Sequence, residues 1–212
     1  MPFLFINKPA GWTSHDVVAH IRTDKKIKVG HAGTLDPFAT GLLIVGVGRD
    51  CTKKLDEFKQ LPKTYIATIK LGATSDTYDK TGKISEYQNP TKDPTKIPDK
   101  KTISSILKSF IGKQLQTPPM FSAKKINGQR LYKLARQGKT IERQPNEIEI
   151  YEINLLDYSW PILKIEVKCS TGTYIRSLAN DIGEKLGIGA YCEELERTAI
   201  GENYLKNAIN LT

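Results

Sequence analysis

The segment LKIEVKCSTGTYIRSLANDIGEKLG, residues 163–187, changes period halfway along its length. Leu163, Ile165, Val167 and Cys169 alternate with Lys164, Glu166 and Lys168, which is the pattern of a strand with one buried face. Thr173 then reads as the cap of a helix. Its apolar stripe is Ile175, Leu178, Ala179, Ile182 and Leu186, and Gly187 stops it. A period of two running directly into a period of 3.6 requires sheet and helix in one core.

The flanking sequence agrees. Ile148 and Ile150 mark another half-buried strand, and residues 191–199 a last one. Residues 63–71 place Tyr65, Ala67, Ile69 and Leu71 on one face of a further strand. At the start, residues 3–6 read as a short strand, followed by the turn NKPAG (7–11). A helix then begins at Thr13 or Ser14, with Val17, Val18 and Ile21 on its apolar face. Residues 30–41 read as a Gly-rich loop, and 42–47 as a buried strand. Strands and helices mix without regular βαβ alternation. The predicted class is therefore α/β (α+β), built on a mixed, mainly antiparallel sheet with flanking helices.

Residues 88–141 read as an insertion into this frame. Pro90, Pro94 and Pro98 precede a Lys-rich helix at about 103–111. Turn signals at Pro118-Pro119, Asn127-Gly128 and Gly138 then surround a short helix near 130–137, the mark of a protruding, flexible loop. The net charge of +9 resides here: residues 100–141 hold ten bases and no acid, leaving 22 bases against 23 acids elsewhere. Such a single-sign block, interleaved with Phe110, Met120, Phe121 and Tyr132, suits a surface that meets a polyanion. A Lys-rich solvated face accounts for it equally well.

Other classes are set aside by composition. With 39% hydrophobic and 26% charged residues in 212, the chain is globular in character, and no apolar run approaches a membrane span. The N-terminus carries no basic leader and no cleavage signal, so a cytoplasmic protein is expected. Three cysteines without C-x-x-C spacing and three histidines without paired spacing indicate neither a disulfide framework nor a metal site, and no cofactor motif is present.

Two features stand out chemically. In VGHAGTLDPFATG (29–41), glycines permit unusual backbone angles and close approach. Pro37 holds Asp36 out of the helical region, so that its carboxylate sits on a constrained loop as a candidate nucleophile or base. Taken alone, the segment is also an ordinary Asp-Pro turn. Arg176 lies in the first turn of its helix, where a cation opposes the dipole at a cost of about 0.3–1 kcal/mol, so a carboxylate partner in a cleft is expected. A solvent-exposed arginine is the alternative. Tyr65 and Tyr174 are either core aromatics or rings on which a base stacks.

Taken together, INKPAGWTSHDVV (6–18), GHAGTLDPFATGLL (30–43), KTYIATIKLG (63–72), TYDKTG (77–82), PPMFSAKKINGQRLYKLARQG (118–138), CSTGTYIRSLANDIGEKLG (169–187) and LERTAIG (195–201) closely resemble the TruB-type tRNA pseudouridine-55 synthases, in the family's order and across nearly the whole chain. The resemblance implies a curved sheet of the pseudouridine synthase type and isomerisation of uridine 55 in the T-arm loop of tRNA, with the target base flipped out and no cofactor. It implies Asp36 as the catalyst, Tyr65 beneath the uracil and Arg176 in a salt bridge to Asp36. Tyr174 and Leu195 would line the pocket, while His31 and Asp79 would hold the loop once the nucleotide is extruded. Within the thumb that closes over the T-arm, Lys124, Lys125, Arg130, Lys133 and Arg136 would contact RNA.

Relatives of this type commonly continue past the position of Leu211 into a small RNA-binding PUA domain. The expectation here is one catalytic domain over residues 1–212, with the thumb insertion at about 88–141, no PUA domain, and action as a monomer on tRNA. Two rivals are an RNA-binding adaptor without turnover and a synthase that depends on a guide RNA. The presence of Asp36, Tyr65 and Arg176 together argues against the first.

Overall fold

A computed structural model describes residues 3–86, 97–122, 125–126, 128–135 and 137–211. In chain order the elements are β1 (Phe3–Lys8), α1 (Ser14–Ile21), β2 (Val29–Ala32), β3 (Thr40–Val47), α2 (Arg49–Gln60), β4 (Lys63–Leu71), β5 (Ala73–Ser75), β6 (Ile84–Glu86), α3 (Lys100–Lys108), β7 (Gly112–Gln116), β8 (Lys125–Ile126), β9 (Gln129–Arg130), α4 (Leu131–Ala135), β10 (Asn146–Ser159), β11 (Ile162–Cys169), α5 (Ile175–Leu186), β12 (Ala190–Ile200), β13 (Asn203–Tyr204), a short 3-10 turn at Leu205–Asn207 and β14 (Ile209–Asn210). The main sheet runs β14-β1-β3-β12-β4-β11-β10-β7, with β2 on β3 and β13 on β12. It is mixed and mostly antiparallel: β1 and β2 pair antiparallel with β3, and β7 with β10, while β14 on β1 and β12 on β3 are parallel. The sequence-based α/β expectation is met.

The chain forms two compact units. One comprises Met1–Ile66, Lys168–Thr171 and Leu195–Thr212, the other Ala67–Val167 and Gly172–Glu194. In the first, β3 is buried on both faces. Leu43 and Val45 join Ile6, Val17, Val18 and Val29 in one cluster, while Leu42 and Ile44 join Ala32, Leu55 and Ile200 in another. This is why residues 42–47 read as a continuous apolar run rather than an alternation. Helix α1 opens on the capping box of Thr13 and Asp16, and its first-turn neighbour Ser14 is buried.

Two elements depart from the reading of the sequence. Of residues 30–41, read as a Gly-rich loop, 30–32 belong to strand β2 and 40–41 to β3, so the loop itself covers only 33–39. Helix α2 carried no usable pattern, because only Cys51 and Leu55 of its twelve residues are buried. Its place comes from glycines. A Cβ on Gly46 would lie 3.1 Å from the Cys51 backbone, and one on Gly30 3.2 Å from the Leu55 side chain.

In the second unit, Ile103 and Leu107 of α3, Ile148 and Ile150 of β10, Leu163, Ile165 and Val167 of β11, and Leu178, Ala179 and Ile182 of α5 are buried. Helix α5 ends at Gly187 in the left-handed conformation, as expected. Its beginning corrects the expectation of a Thr173 cap, since the N-cap position is Tyr174. The buried Gln116 side chain fixes that turn from 58 residues away: its Oε1 accepts from Tyr174 N–H at 2.8 Å and its Nε2 donates to Tyr174 O at 3.0 Å. A tertiary amide thus takes the role assigned to a local hydroxyl.

Candidate active site

In the first unit the loop 33–39 is held by its backbone at several points. Ser14 Oγ donates to Leu35 O (3.2 Å) and accepts from Leu35 N–H (2.9 Å). Pro37 O accepts from Gly11 N–H (2.8 Å) and from Lys8 Nζ (3.3 Å). Asp36 O accepts from Ala39 N–H (3.1 Å), and Gly33 O from Arg197 Nη2 (3.0 Å). Asp36 is thus a half-buried carboxylate on a segment clamped on both sides. Preorganisation of this kind holds a reacting group in place without further ordering cost.

The surroundings of Asp36 are cationic. Lys8 has no solvent exposure, and its Nζ also donates to Pro9 O (2.8 Å) and Trp12 O (2.7 Å). Burial lowers its pKa to about 8, with Arg197 adding to the shift and the Asp36 charge opposing it. Lys63, at the start of β4, is likewise brought to about 8 by burial, and its Nζ donates to Lys59 O. Tyr65 is buried on β4. Burial raises its hydroxyl pKa, the nearby Arg197 opposes that rise, and Asp36 adds to it. His31 is half-buried on β2, with Nδ1 lacking a hydrogen-bond partner among the described residues. Burial takes it down to about 4, with Arg197, His15 and Lys59 acting in the same direction, so it is neutral at physiological pH. Leu195 is buried on β12.

The second unit holds the other predicted polar group. Arg176 and Asp79 are both buried and paired, Nη1 to Oδ2 at 3.2 Å. Arg176 Nη1 also donates to Thr77 O (2.9 Å) and Nη2 to Phe121 O (2.7 Å). Asp79 Oδ1 accepts from Thr77 Oγ1 (2.8 Å), Thr81 N–H (2.9 Å) and Thr81 Oγ1 (2.5 Å). The cation at the positive end of α5 is compensated here by a carboxylate and two carbonyls, and the solvent-exposed alternative is ruled out. Tyr174 is half-buried at the N-cap. Of the thumb residues, Lys124 and Arg136 lie outside the described residues. Lys125, Arg130 and Lys133 are placed by backbone alone, on β8, β9 and α4.

Lys8 and Arg197 were not singled out from the sequence as site residues, although period two marks both. Lys8 shares the buried face of β1 with Ile6, and Arg197 that of β12 with Leu195 and Ala199. A charged residue in register with an apolar face is the available signal.

Comparison with known proteins gives these clusters a family. Residues 20–175 match the model described as TruB family pseudouridylate synthase (N terminal domain). The tRNA pseudouridine synthase B of Parabacteroides distasonis is 48% identical over 206 residues, covering 94% of this chain and 85% of that protein. The same-named protein of Thermosipho melanesiensis is 49% identical over 212 residues, covering 99% of this chain and 67% of its own. Among solved structures, a chain in the crystal structure of a Cbf5-Nop10-Gar1 complex superposes with a TM-score of 0.73 at 28% identity, over 99% of this chain and 52% of that one. The Asp36 loop, Tyr65 and the Arg176–Asp79 pair all fall within the segment shared with the two named relatives, and the chain belongs to the TruB family of pseudouridylate synthases.

Proposed function

We propose that this protein isomerises the uridine at position 55 in the T-arm loop of tRNA to pseudouridine, with Asp36 as nucleophile. The observation that carries the reading is the clamped Asp36 loop, in a chain that matches the family model through residues 20–175. The reaction breaks the bond from ribose to the base nitrogen, turns the base and joins ribose to carbon 5. The carbon-5 proton is lost and the freed nitrogen gains one, so no net redox or phosphate energy is required.

In this reading the target base leaves its stack at a cost of a few kcal/mol and is held by stacking and edge contacts. Asp36 attacks the ribose or the uracil ring. Tyr65 lies beneath the uracil and either stacks on it or accepts the carbon-5 proton. Arg176 pairs with Asp36 as the family resemblance implies, keeping it ionised and aimed, and Asp79 holds Arg176 in turn. Tyr174 and Leu195 line the pocket, His31 helps hold the opened loop, and the basic segment at 88–141, with Lys124, Lys125, Arg130, Lys133 and Arg136, acts as the thumb on the T-arm. The chain works as a monomer in the cytoplasm and needs no guide RNA.

The test is purified protein alone on an unmodified tRNA transcript and on an isolated T-arm stem-loop, with pseudouridine read after carbodiimide labelling. The expected result is one pseudouridine at position 55 in both substrates. Efficiencies should agree within about a hundredfold, equivalent to roughly 2.7 kcal/mol of transition-state stabilisation. Asp36→Asn should abolish the reaction while leaving RNA binding within about a few-fold. Modification that appears only when a second RNA is added would establish the guide-dependent alternative instead.

A further inference from the structure

Arg197 is 1% exposed and among the largest fully buried side chains of the protein. A guanidinium in such a place costs several kcal/mol of desolvation unless its donors are met. Nε donates to Leu42 O at 2.8 Å, within β3, and Nη2 to Gly33 O at 3.0 Å, at the start of the loop that carries Asp36. The backbone of Arg197 is equally constrained. Strand β12 pairs with β3 at Gly41, where an added Cβ would lie 2.4 Å from Arg197 O, so no side chain can separate the strands there. A Cβ on Gly33, whose φ is +77°, would stand 3.4 Å from Arg197 Nη1. The guanidinium is thus held between the loop and β3 by two carbonyls. From that position its charge also acts on Tyr65, Lys8 and His31.

We propose that Arg197 is a positioning residue for the isomerisation, locking the Asp36 loop to β3 at Gly33 and Leu42. The inference rests on the reading of Asp36 as nucleophile. Ser14 and Lys8 also brace the loop, at Leu35 and Pro37. Arg197 differs from them in that one side chain ties the start of the loop directly to β3, reaching Gly33 O and Leu42 O at once. Its planar fork spans two carbonyls in fixed geometry, which a lysine ammonium cannot do. A shift of about 1 Å in a reacting group is enough to lower a rate about a hundredfold.

The experiment compares wild type with Arg197→Lys and Arg197→Gln, using the single-turnover rate constant on a T-arm stem-loop at saturating enzyme. That quantity does not depend on how much of the preparation is folded. RNA Kd and thermal melting are measured alongside. The rate constant should fall at least about 10-fold in Arg197→Lys and about 100-fold in Arg197→Gln, with Kd within about threefold of wild type. The lysine variant recovers part of the loss because its ammonium can still donate to one of the two carbonyls. A rate constant within about threefold of wild type in both variants, whatever their melting temperatures, overturns the proposal and leaves Arg197 a packing residue. So does the absence of a cooperative melt in both. A wild-type protein that isomerises no RNA at all refutes the functional reading itself, a distinct outcome.

Discussion

The Ser14 hydroxyl clasps the Leu35 backbone in both directions, donating to its carbonyl at 3.2 Å and accepting from its N–H at 2.9 Å, one residue before Asp36. Ser14 is 1% exposed, so removing the hydroxyl strands both Leu35 groups away from water. Ser14→Ala should cost about 1–3 kcal/mol in urea unfolding and slow single turnover about tenfold, with RNA affinity little changed. Unaltered stability and rate would show that Lys8 and Gly11 hold the loop without it.

The Arg176–Asp79 pair leads to an asymmetric expectation. Both groups are buried, so removing Asp79 takes a buried carboxylate partner from the guanidinium, a loss of up to about 3–5 kcal/mol. Asp79→Ala should lower the urea midpoint accordingly. Arg176→Lys keeps the charge, but a single ammonium cannot serve Asp79, Thr77 O and Phe121 O in their present directions. It should be more stable than Asp79→Ala while still losing most isomerisation activity. Near-normal turnover in Arg176→Lys would remove Arg176 from the catalytic set.

His31 supplies a pH signature. Its folded-state pKa is lowered to about 4 from 6.5, so between those values the unfolded chain binds a proton that the native state does not. Its contribution to stability is full above pH 6.5 and is lost as pH falls through about 4. Asp181 acts with the opposite sign: burial, then Glu184, raises it to about 6, so its contribution grows as pH falls from 6 towards 3.8. The difference between wild type and His31→Gln isolates the histidine. Wild type should lose about 1–3 kcal/mol relative to the variant between pH 6.5 and 4, measured by urea unfolding. Parallel curves would mean that His31 titrates normally.

The basic segment is tested by salt. Replacing Lys124, Lys125, Arg130 and Lys133 with Gln should weaken RNA binding and flatten the plot of log affinity against log salt, by about 0.7–0.9 in slope for each RNA phosphate left without a cation beside it. The single-turnover rate at saturation should be little changed, since the role proposed for these residues is to hold the T-arm and not to touch the reacting uridine. An unchanged slope would return the segment to the reading of a solvated lysine face.

Strands β4 and β11, helix α1 with a cap at Thr13 or Ser14, and the Gly187 stop of α5 were legible along the chain, because each follows from period and capping chemistry within a few residues. The candidate residues Asp36, Tyr65 and Arg176 were likewise visible, as part of a motif order spread over the chain. Helix α2 was not visible, since what seats it is the missing side chains of Gly30 and Gly46 on other elements. Nor was the amide of Gln116 that fixes the start of α5, or the carboxylate of Asp79 that meets Arg176 from nearly a hundred residues away. Burial of Lys8 and Arg197 belongs to the same class. A side chain's charge is written in the sequence, but whether it loses its water, and which carbonyls replace that water, is decided only when distant strands pair.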